Sequence, residues 1–314
     1  MKILIELPTW MGDAVMATPA IENIVEIYPE CELVLFGSFL STRLFLEHSN
    51  ISKIIVDKSR SKGSRHFNLY KYAVKIGKVD IALSFRSNFG TKFLFWFLDA
   101  SQKCIYRKEK NIERHQVLRY NDFINSCLGL QTSPGTLKIY QKQIPLEKSD
   151  RKIMGINPGA TYGSAKRWYP EKFAKVAISL SDRYDIVIFG GPHETDIAAD
   201  IEKELQKASL ANYMNLAGKT SIPELVRKIS ELDLFITGDS GPMHVAAAYE
   251  VPTVAIFGPT KDKETSQWKN PKGIVVKKEM DCAPCMKRTC PLKHHECMKL
   301  IEAEDVLKVV EALT

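Results

Sequence analysis

The feature that most constrains this chain is an alternation of strand and helix that runs once, stops at a polar segment, and starts again. Short apolar runs end in Pro, Gly or charged residues, and stretches of helical period follow them. In the first half the runs are KILIEL (2–7), ELVLF (32–36), KIIV (53–56), DIALSF (80–85) and KCIY (103–106). Helical spacing fits 14–28, where Ala14, Ala17, Ile21, Ile24, Val25 and Tyr28 recur, and also 39–48, 66–77, 89–98 and 114–128. In the second half the strands are KIMGIN (152–157), DIVIFGG (185–191), YMNLAG (213–218), LDLFITGD (232–239) and TVAIFG (253–258). Helices are expected at 173–184, 193–208, 221–230, 241–250 and 303–313.

This order implies parallel strands joined by helical crossovers, with helices on both faces of each sheet. The polar, Pro-containing stretch 141–152 marks the joint, giving domains at 1–150 and 151–314. The last helix is free to pack back on the first domain. The expected fold class is therefore α/β, two Rossmann-like doubly wound domains facing across a cleft. Ligands of such sheets bind outside the carboxyl ends of the strands, so the loops there are the places to search.

Four loops stand out. GDSGPMH (238–244) joins a strand to a helix; its glycines let backbone approach a ligand closely, and the helix start offers free N–H groups to an anion. Ser240 adds a hydroxyl donor, and His244 lies one turn in. Asp239 would repel a phosphate and instead suits a helix cap or a ligand hydroxyl. NPGATYGSAKRW (157–168) brings Thr161, Lys166 and Arg167 to a second strand end, a plausible diphosphate clamp anchored by Trp168. FGGPHETD (189–196) offers Glu194 to ribose hydroxyls, and AGKTS (217–221) offers backbone near Thr220 to a base. In the first half, LPTWMGDAVMATPA (7–20) places Asp13 where strand gives way to helix, either as a cap or as a base able to take a proton from a hydroxyl. None of these is a GxGxxG fingerprint, which argues against a dinucleotide site.

Charge is uneven. The net is +7, yet residues 51–120 hold 16 Lys and Arg against 5 Asp and Glu, an excess of +11. A surface of that kind attracts a polyanion or an anionic membrane face. No interleaved aromatic–basic stripe is apparent, so no nucleic-acid partner is expected. No apolar run reaches the ~18–20 residues of a membrane span, and no signal peptide is read at MKILIELPTW, so the cytoplasm is the expected location. Cys31, Cys104 and Cys127 read as small buried residues. Cys282, Cys285, Cys290 and Cys297, with His294 and His295, do not reproduce a paired C-x2-C zinc site and read first as a thiol-rich structural loop, with a metal site as the lesser alternative.

MGDAVMATPA (11–20), NPGATYGSAKRW (157–168), GDSGPMHVAAA (238–248) and FGPT (257–260) together resemble the ADP-heptose:lipopolysaccharide heptosyltransferase family. The late CAPCMKRTCPLKHHECM run resembles the branch of that family that extends the inner-core heptose. The resemblance implies the GT-B arrangement and a metal-independent, cofactor-free inverting transfer of heptose from ADP-heptose. It implies Asp13 as general base, and Thr161, Lys166, Ser240, Gly241 and His244 around the diphosphate. Asp239 would serve the donor sugar, Glu194 the ribose and Thr220 the adenine pocket. The implied acceptor is the phosphorylated, heptosyl-Kdo-bearing lipid A core at the cytoplasmic face of the inner membrane, to which the enzyme would be peripheral. Lys58, Arg60, Lys62, Arg65, Arg86 and Arg119 are candidates to meet it. Members acting on another acceptor sugar are the second reading. A non-catalytic nucleotide- or sugar-binding module would instead bind ADP without turnover.

Overall fold

Each half of the alternation becomes one wholly parallel sheet. The computed structural model describes residues 1–61, 63–109, 112–142 and 151–313, and the chain divides into two compact units, Met1–Gln143 and Ile144–Thr314. Lys62 and most of the stretch 141–152 lie outside the described residues.

The first unit runs β1 (Lys2–Glu6), α1 (Met11–Met16), α2 (Thr18–Ile27), β2 (Glu32–Gly37), α3 (Phe39–Thr42), β3 (Ile51–Val56), α4 (Arg65–Ile76), β4 (Val79–Ser84), α5 (Phe89–Phe97), β5 (Ala100–Ile105) and α6 (Gln116–Leu128). Its strand order is β3-β2-β1-β4-β5. The direction of winding therefore reverses between β1 and β4, which pair in register from Ile3↔Ile81 to Glu6↔Ser84. Leu4, Val34 and Ala82 join Leu69, Ala73, Leu94 and Phe95 of α4 and α5 in one core. Ile3 and Ile5, on the other face of β1, are equally inaccessible. Burial on both faces explains why these strands read as continuous apolar runs rather than alternating ones.

The second unit runs β6 (Lys152–Asn157), a 3₁₀ turn (Ser164–Lys166), α7 (Pro170–Leu180), β7 (Tyr184–Ile188), α8 (Thr195–Lys207), β8 (Tyr213–Asn215), α9 (Ile222–Ser230), β9 (Leu234–Gly238), α10 (Gly241–Ala248), β10 (Thr253–Ile256), α11 (Asp262–Thr265), β11 (Gly273–Val276), α12 (Glu296–Lys299) and α13 (Ala303–Leu313). The order β8-β7-β6-β9-β10-β11 puts its reversal between β6 and β9. The dinucleotide-fold order 3-2-1-4-5-6 is thus met in full by this unit.

Three expectations need correcting. The helix read at 14–28 is two helices, because Pro19 lacks an N–H and takes the second position of a new helix instead. The helix read at 39–48 stops at Thr42, where Ser41 and Thr42 turn their hydroxyls onto the Ser38 carbonyl. Side-chain bonding of this kind competes with helix propagation. In the last helix, Ala303, Val306 and Val310 are buried in the core of the second unit, with α7 and β10. Cys104 and Cys127 are half-buried rather than core residues, and join β5 to α6 as a disulfide with Cα atoms 6.2 Å apart. Cys31 is buried as expected.

Candidate functional site

Asn157 is the last residue of β6, and its amide side chain is shut away from solvent. It donates to Ser240 Oγ at 3.3 Å, while Thr237 Oγ1, also buried, lies 3.1 Å from the same oxygen. Ser240 is the N-cap of α10 in extended conformation, and its side chain makes no capping bond. Its hydroxyl is fixed from below, and the first N–H groups of an eight-residue helix lie just beyond it, with Pro242 and Gly241 at the opening. Uncapped N–H groups of a helix start, with its dipole, favour an anion. His244 is buried on the same helix.

Lys166 arrives at this point from the 3₁₀ turn. Its ammonium donates to Asp239 Oδ2 at 2.6 Å and to the Asp239 carbonyl at 3.2 Å, and lies 4.8 Å from the centre of the Tyr162 ring. The two side chains are 12% and 7% exposed, so the pair is drawn well out of water. Asp239 is therefore not the helix cap; it is the counter-ion of the lysine.

Glu194 ties two loops together. Its carboxylate accepts the Gly191 N–H at 2.7 Å and the Thr161 hydroxyl at 3.4 Å. Gly159 has to be glycine for this, since a Cβ there would stand 2.1 to 2.4 Å from the Glu194 carboxyl atoms. Thr161 and Glu194 are thus brought together, beside the β6 end. Thr220 stands apart on the loop before α9, next to the edge strand β8 and two strands from the reversal point.

The cysteine-rich segment buttresses the lysine loop. Ala165 N–H donates to the Arg288 carbonyl at 3.0 Å, and the Tyr162 hydroxyl donates to the Met286 carbonyl at 2.8 Å. His295 Nε2 is 2.9 Å from the Ala165 carbonyl, and the Trp168 indole donates to Ile301 O at 2.9 Å. Gly163 packs directly on the Arg288 backbone, where a Cβ would lie 2.2 Å from its oxygen. The four thiols and His294 line one small cavity, with Cys282 Sγ 4.0 Å from His294 Nε2. Burial, reinforced by the neighbouring thiols, pushes the Cys297 thiol up to about 11. Among the described residues, no group of three or more His, Cys, Asp or Glu is gathered to hold a metal ion.

The first unit builds its reversal point differently. Glu6 ends β1 almost fully buried, accepts the Ser84 hydroxyl at 2.6 Å, and lies 3.5 Å from Arg86 Nη1. Burial raises the Glu6 carboxyl above its usual range, and Arg86 opposes that rise. Arg86 also donates to the Leu7 carbonyl and lies 3.6 Å from Asp57. Its side chain is 10% exposed, so this acceptor candidate is a structural post. Arg119 is likewise consumed, donating to the carbonyls of Glu109, Ile112 and Arg114. The five donors of a guanidinium are thus spread over three loop carbonyls at Arg119, and over one carbonyl and two carboxylates at Arg86. Lys58 and Arg60 lie on the loop after β3, and Arg65 starts α4.

Asp13 is in the first turn of α1, half-buried. It is not the cap, because that position is Trp10, which makes no side-chain bond. Behind it stand Tyr120 and Tyr106, whose rings are 5.1 Å apart, with Gln116 donating to the Tyr106 hydroxyl at 3.2 Å. Burial first, and the Asp13 charge second, raise the Tyr120 phenol well above its ordinary value. Those phenols stay protonated, so they are donors near a carboxylate and not competing bases. Asn157, Thr237, Glu6 and the two tyrosines were not singled out from sequence. The signals available were a charged residue ending an apolar strand in KILIEL and a polar amide ending KIMGIN.

Two parallel sheets of this order, the second with a helix start and a lysine at its reversal point, define an α/β protein of two Rossmann-like units. The model of glycosyltransferase family 9 (heptosyltransferase) matches residues 95–296. Lipooligosaccharide heptosyltransferase 2 of Campylobacter jejuni is 44% identical over all of this chain and 98% of its own. That of Haemophilus influenzae is 26% identical over 84% of this chain and 85% of its own. The solved structure of the Escherichia coli ADP-heptose lipopolysaccharide heptosyltransferase II is 24% identical, with TM-score 0.82 over 100% of this chain and 98% of that one. The chain belongs to glycosyltransferase family 9 and is a heptosyltransferase, of the GT-B class of folds.

Proposed function

We propose that the chain is a heptosyltransferase II, moving L-glycero-D-manno-heptose from ADP-heptose onto the heptose of the lipopolysaccharide inner core. The observation that carries the donor assignment is the convergence of Lys166, Asp239, Ser240 and the open start of α10 on the β6/β9 reversal point. The 44% identity to the Campylobacter jejuni heptosyltransferase 2, end to end, supports the choice of acceptor.

In this reading Asp13 accepts the proton of the acceptor hydroxyl as its oxygen bonds to the anomeric carbon. The bond from that carbon to the phosphate oxygen breaks with inversion, and the electron pair leaves on ADP. Charge developing on the departing diphosphate is met by Lys166 and the α10 N–H groups, which are fixed before reaction and need no reorganisation. Gly241 keeps that approach open, the Thr161 hydroxyl and His244 complete the diphosphate surroundings, Glu194 takes the ribose, and Thr220 borders the adenine. The work is done at the cytoplasmic face of the inner membrane, on an anionic lipid-anchored acceptor, by an enzyme peripheral to it.

The test is to incubate the protein with ADP-heptose and acceptors truncated at successive sugars, then weigh the products. An acceptor ending in one heptose gains one heptose, while one ending in Kdo gains none. Extension of the Kdo-terminated acceptor instead would make the chain a heptosyltransferase I, and release of no ADP from any acceptor would make it a binding module.

A further inference from the structure

We propose that the outward face formed by α4 and α5 is the surface by which this chain docks on an anionic lipid bilayer. The two helices pack on each other and on the sheet through Leu69, Ala73, Ile76, Leu94, Phe95 and Leu98. Their other faces are apolar too, and open. Trp96 is 82% exposed, Phe89 68%, Val74 65% and Phe67 56%, with Tyr70 and Phe97 also exposed. At helical spacing, 67, 70 and 74 share one stripe of α4, and 89, 93, 96 and 97 one stripe of α5.

Ring contacts join the two stripes. His66 lies 5.7 Å from Phe89 and 4.9 Å from Phe93, and Tyr70 lies 5.3 Å from Phe97. Exposed aromatic rings gathered in one place mark an interaction site rather than scattered surface residues.

The charges on this face identify the occupant. Arg65, Lys71, Lys75 and Lys92 lie among the rings, and Lys71 sits over the Phe67 ring at 4.4 Å. Neither helix holds an Asp or Glu anywhere along its length. A second copy of the chain docking here about a two-fold axis would set cation against cation. Nucleic acid would ask for ring faces free to stack, whereas Tyr70 and Phe97, and His66 and Phe89, meet edge to face at 84°. An anionic bilayer satisfies both halves: aromatic bodies enter the headgroup boundary while Lys and Arg stay at the phosphates. The proposal gives the proposed lipid-anchored acceptor a site of delivery and rests on that reading for its purpose, but its test does not.

The test uses the full chain, sedimented with large vesicles of phosphatidylcholine alone or with about 30% phosphatidylglycerol. The wild type binds the anionic vesicles and not the neutral ones. Phe89→Ser with Trp96→Ser, both at solvent-exposed positions, lowers the partition constant about tenfold at every salt concentration. Lys71→Glu with Lys75→Glu and Lys92→Glu lowers it about tenfold at low salt, and the deficit shrinks at high salt, where the wild type's own electrostatic attraction is screened. Turnover on a de-acylated, water-soluble acceptor stays at the wild-type rate in both variants. Wild-type protein left in the supernatant, or variants that sediment as wild type does, would overturn the proposal. So would variants that keep vesicle binding but lose a dimer in sedimentation velocity, or retention on single-stranded DNA, because either result assigns the face to another occupant. Vesicle binding without transfer to any acceptor sinks the heptosyltransferase II reading and leaves the surface standing.

Discussion

At the end of β1 the chain leaves its sheet with a buried carboxylate, Glu6, held by Ser84 and answered by Arg86. At the end of β6, the equivalent place in the second unit, it leaves with a neutral amide, Asn157, that anchors a serine at a helix start. The central strand order, three-two-one-four-five, is common to both. The first reversal point spends its charges on itself, closing a network in which Glu6, Arg86 and Asp57 hold one another, and leaves Asp13 as the acid at its loop. The second keeps its polar atoms small and its backbone open, and brings in one lysine with its own counter-ion. Topology fixes where the loops converge; the residue that ends the strand, and what it binds, decides which polar groups that place offers.

The largest effect that can break this contrast is at Asp13. Asp13→Asn should lower kcat at least about 100-fold, as removal of a general base does, with ADP affinity by calorimetry unchanged. Comparable turnover in the variant would deny the first unit its chemical role. Next is Lys166. Lys166→Ala should weaken ADP binding about 10- to 100-fold, and because it strands Asp239 out of water, the double variant Lys166→Met, Asp239→Asn is the check. It should fold as stably as wild type and still bind ADP weakly. Gly159→Ala should cost about tenfold in donor KM by displacing the Glu194 carboxylate from the space it fills, with acceptor KM unmoved.

A smaller effect separates the units by stability. Burial would raise the Glu22 carboxyl, but the hydrogen bonds it accepts from His48 and Lys138, with the Tyr140 hydroxyl nearby, hold it down to about 2. The ionised form is therefore the stabilised one. Its contribution is present above the ordinary value of 4.5 and is lost as pH falls towards 2. Glu22→Gln should cost the first unit about 1–2 kcal/mol at neutral pH, and chemical denaturation should show the gap closing across that acid range. ADP binding, which the proposed function assigns to the second unit, should not change. Last, if the transfer is metal-independent as the family resemblance implies, turnover in EDTA should match turnover without it.

Much of this was legible in the sequence. KILIEL and KIMGIN announced the two central strands because a strand buried on both faces must be apolar throughout. The loops that follow them carried the site for the same topological reason. What could not be read was the use each side chain makes of its neighbours. Asp239 resembles a cap until Lys166, 73 residues away, is seen to hold it. Arg86 and Arg119 count as surface charge until loop carbonyls claim them. The face of α4 and α5 escaped notice because its rings come from segments separated by β4.

The support behind Lys166 has a consequence of its own. Residues 286, 288, 295 and 301 brace the donor loop from more than a hundred positions downstream. The segment therefore acts as a splint, and its four sulfurs sit at the knot. A reagent that crosslinks or caps those sulfurs would therefore load the loop that carries Lys166, from the far side of the hydrogen bonds that hold it.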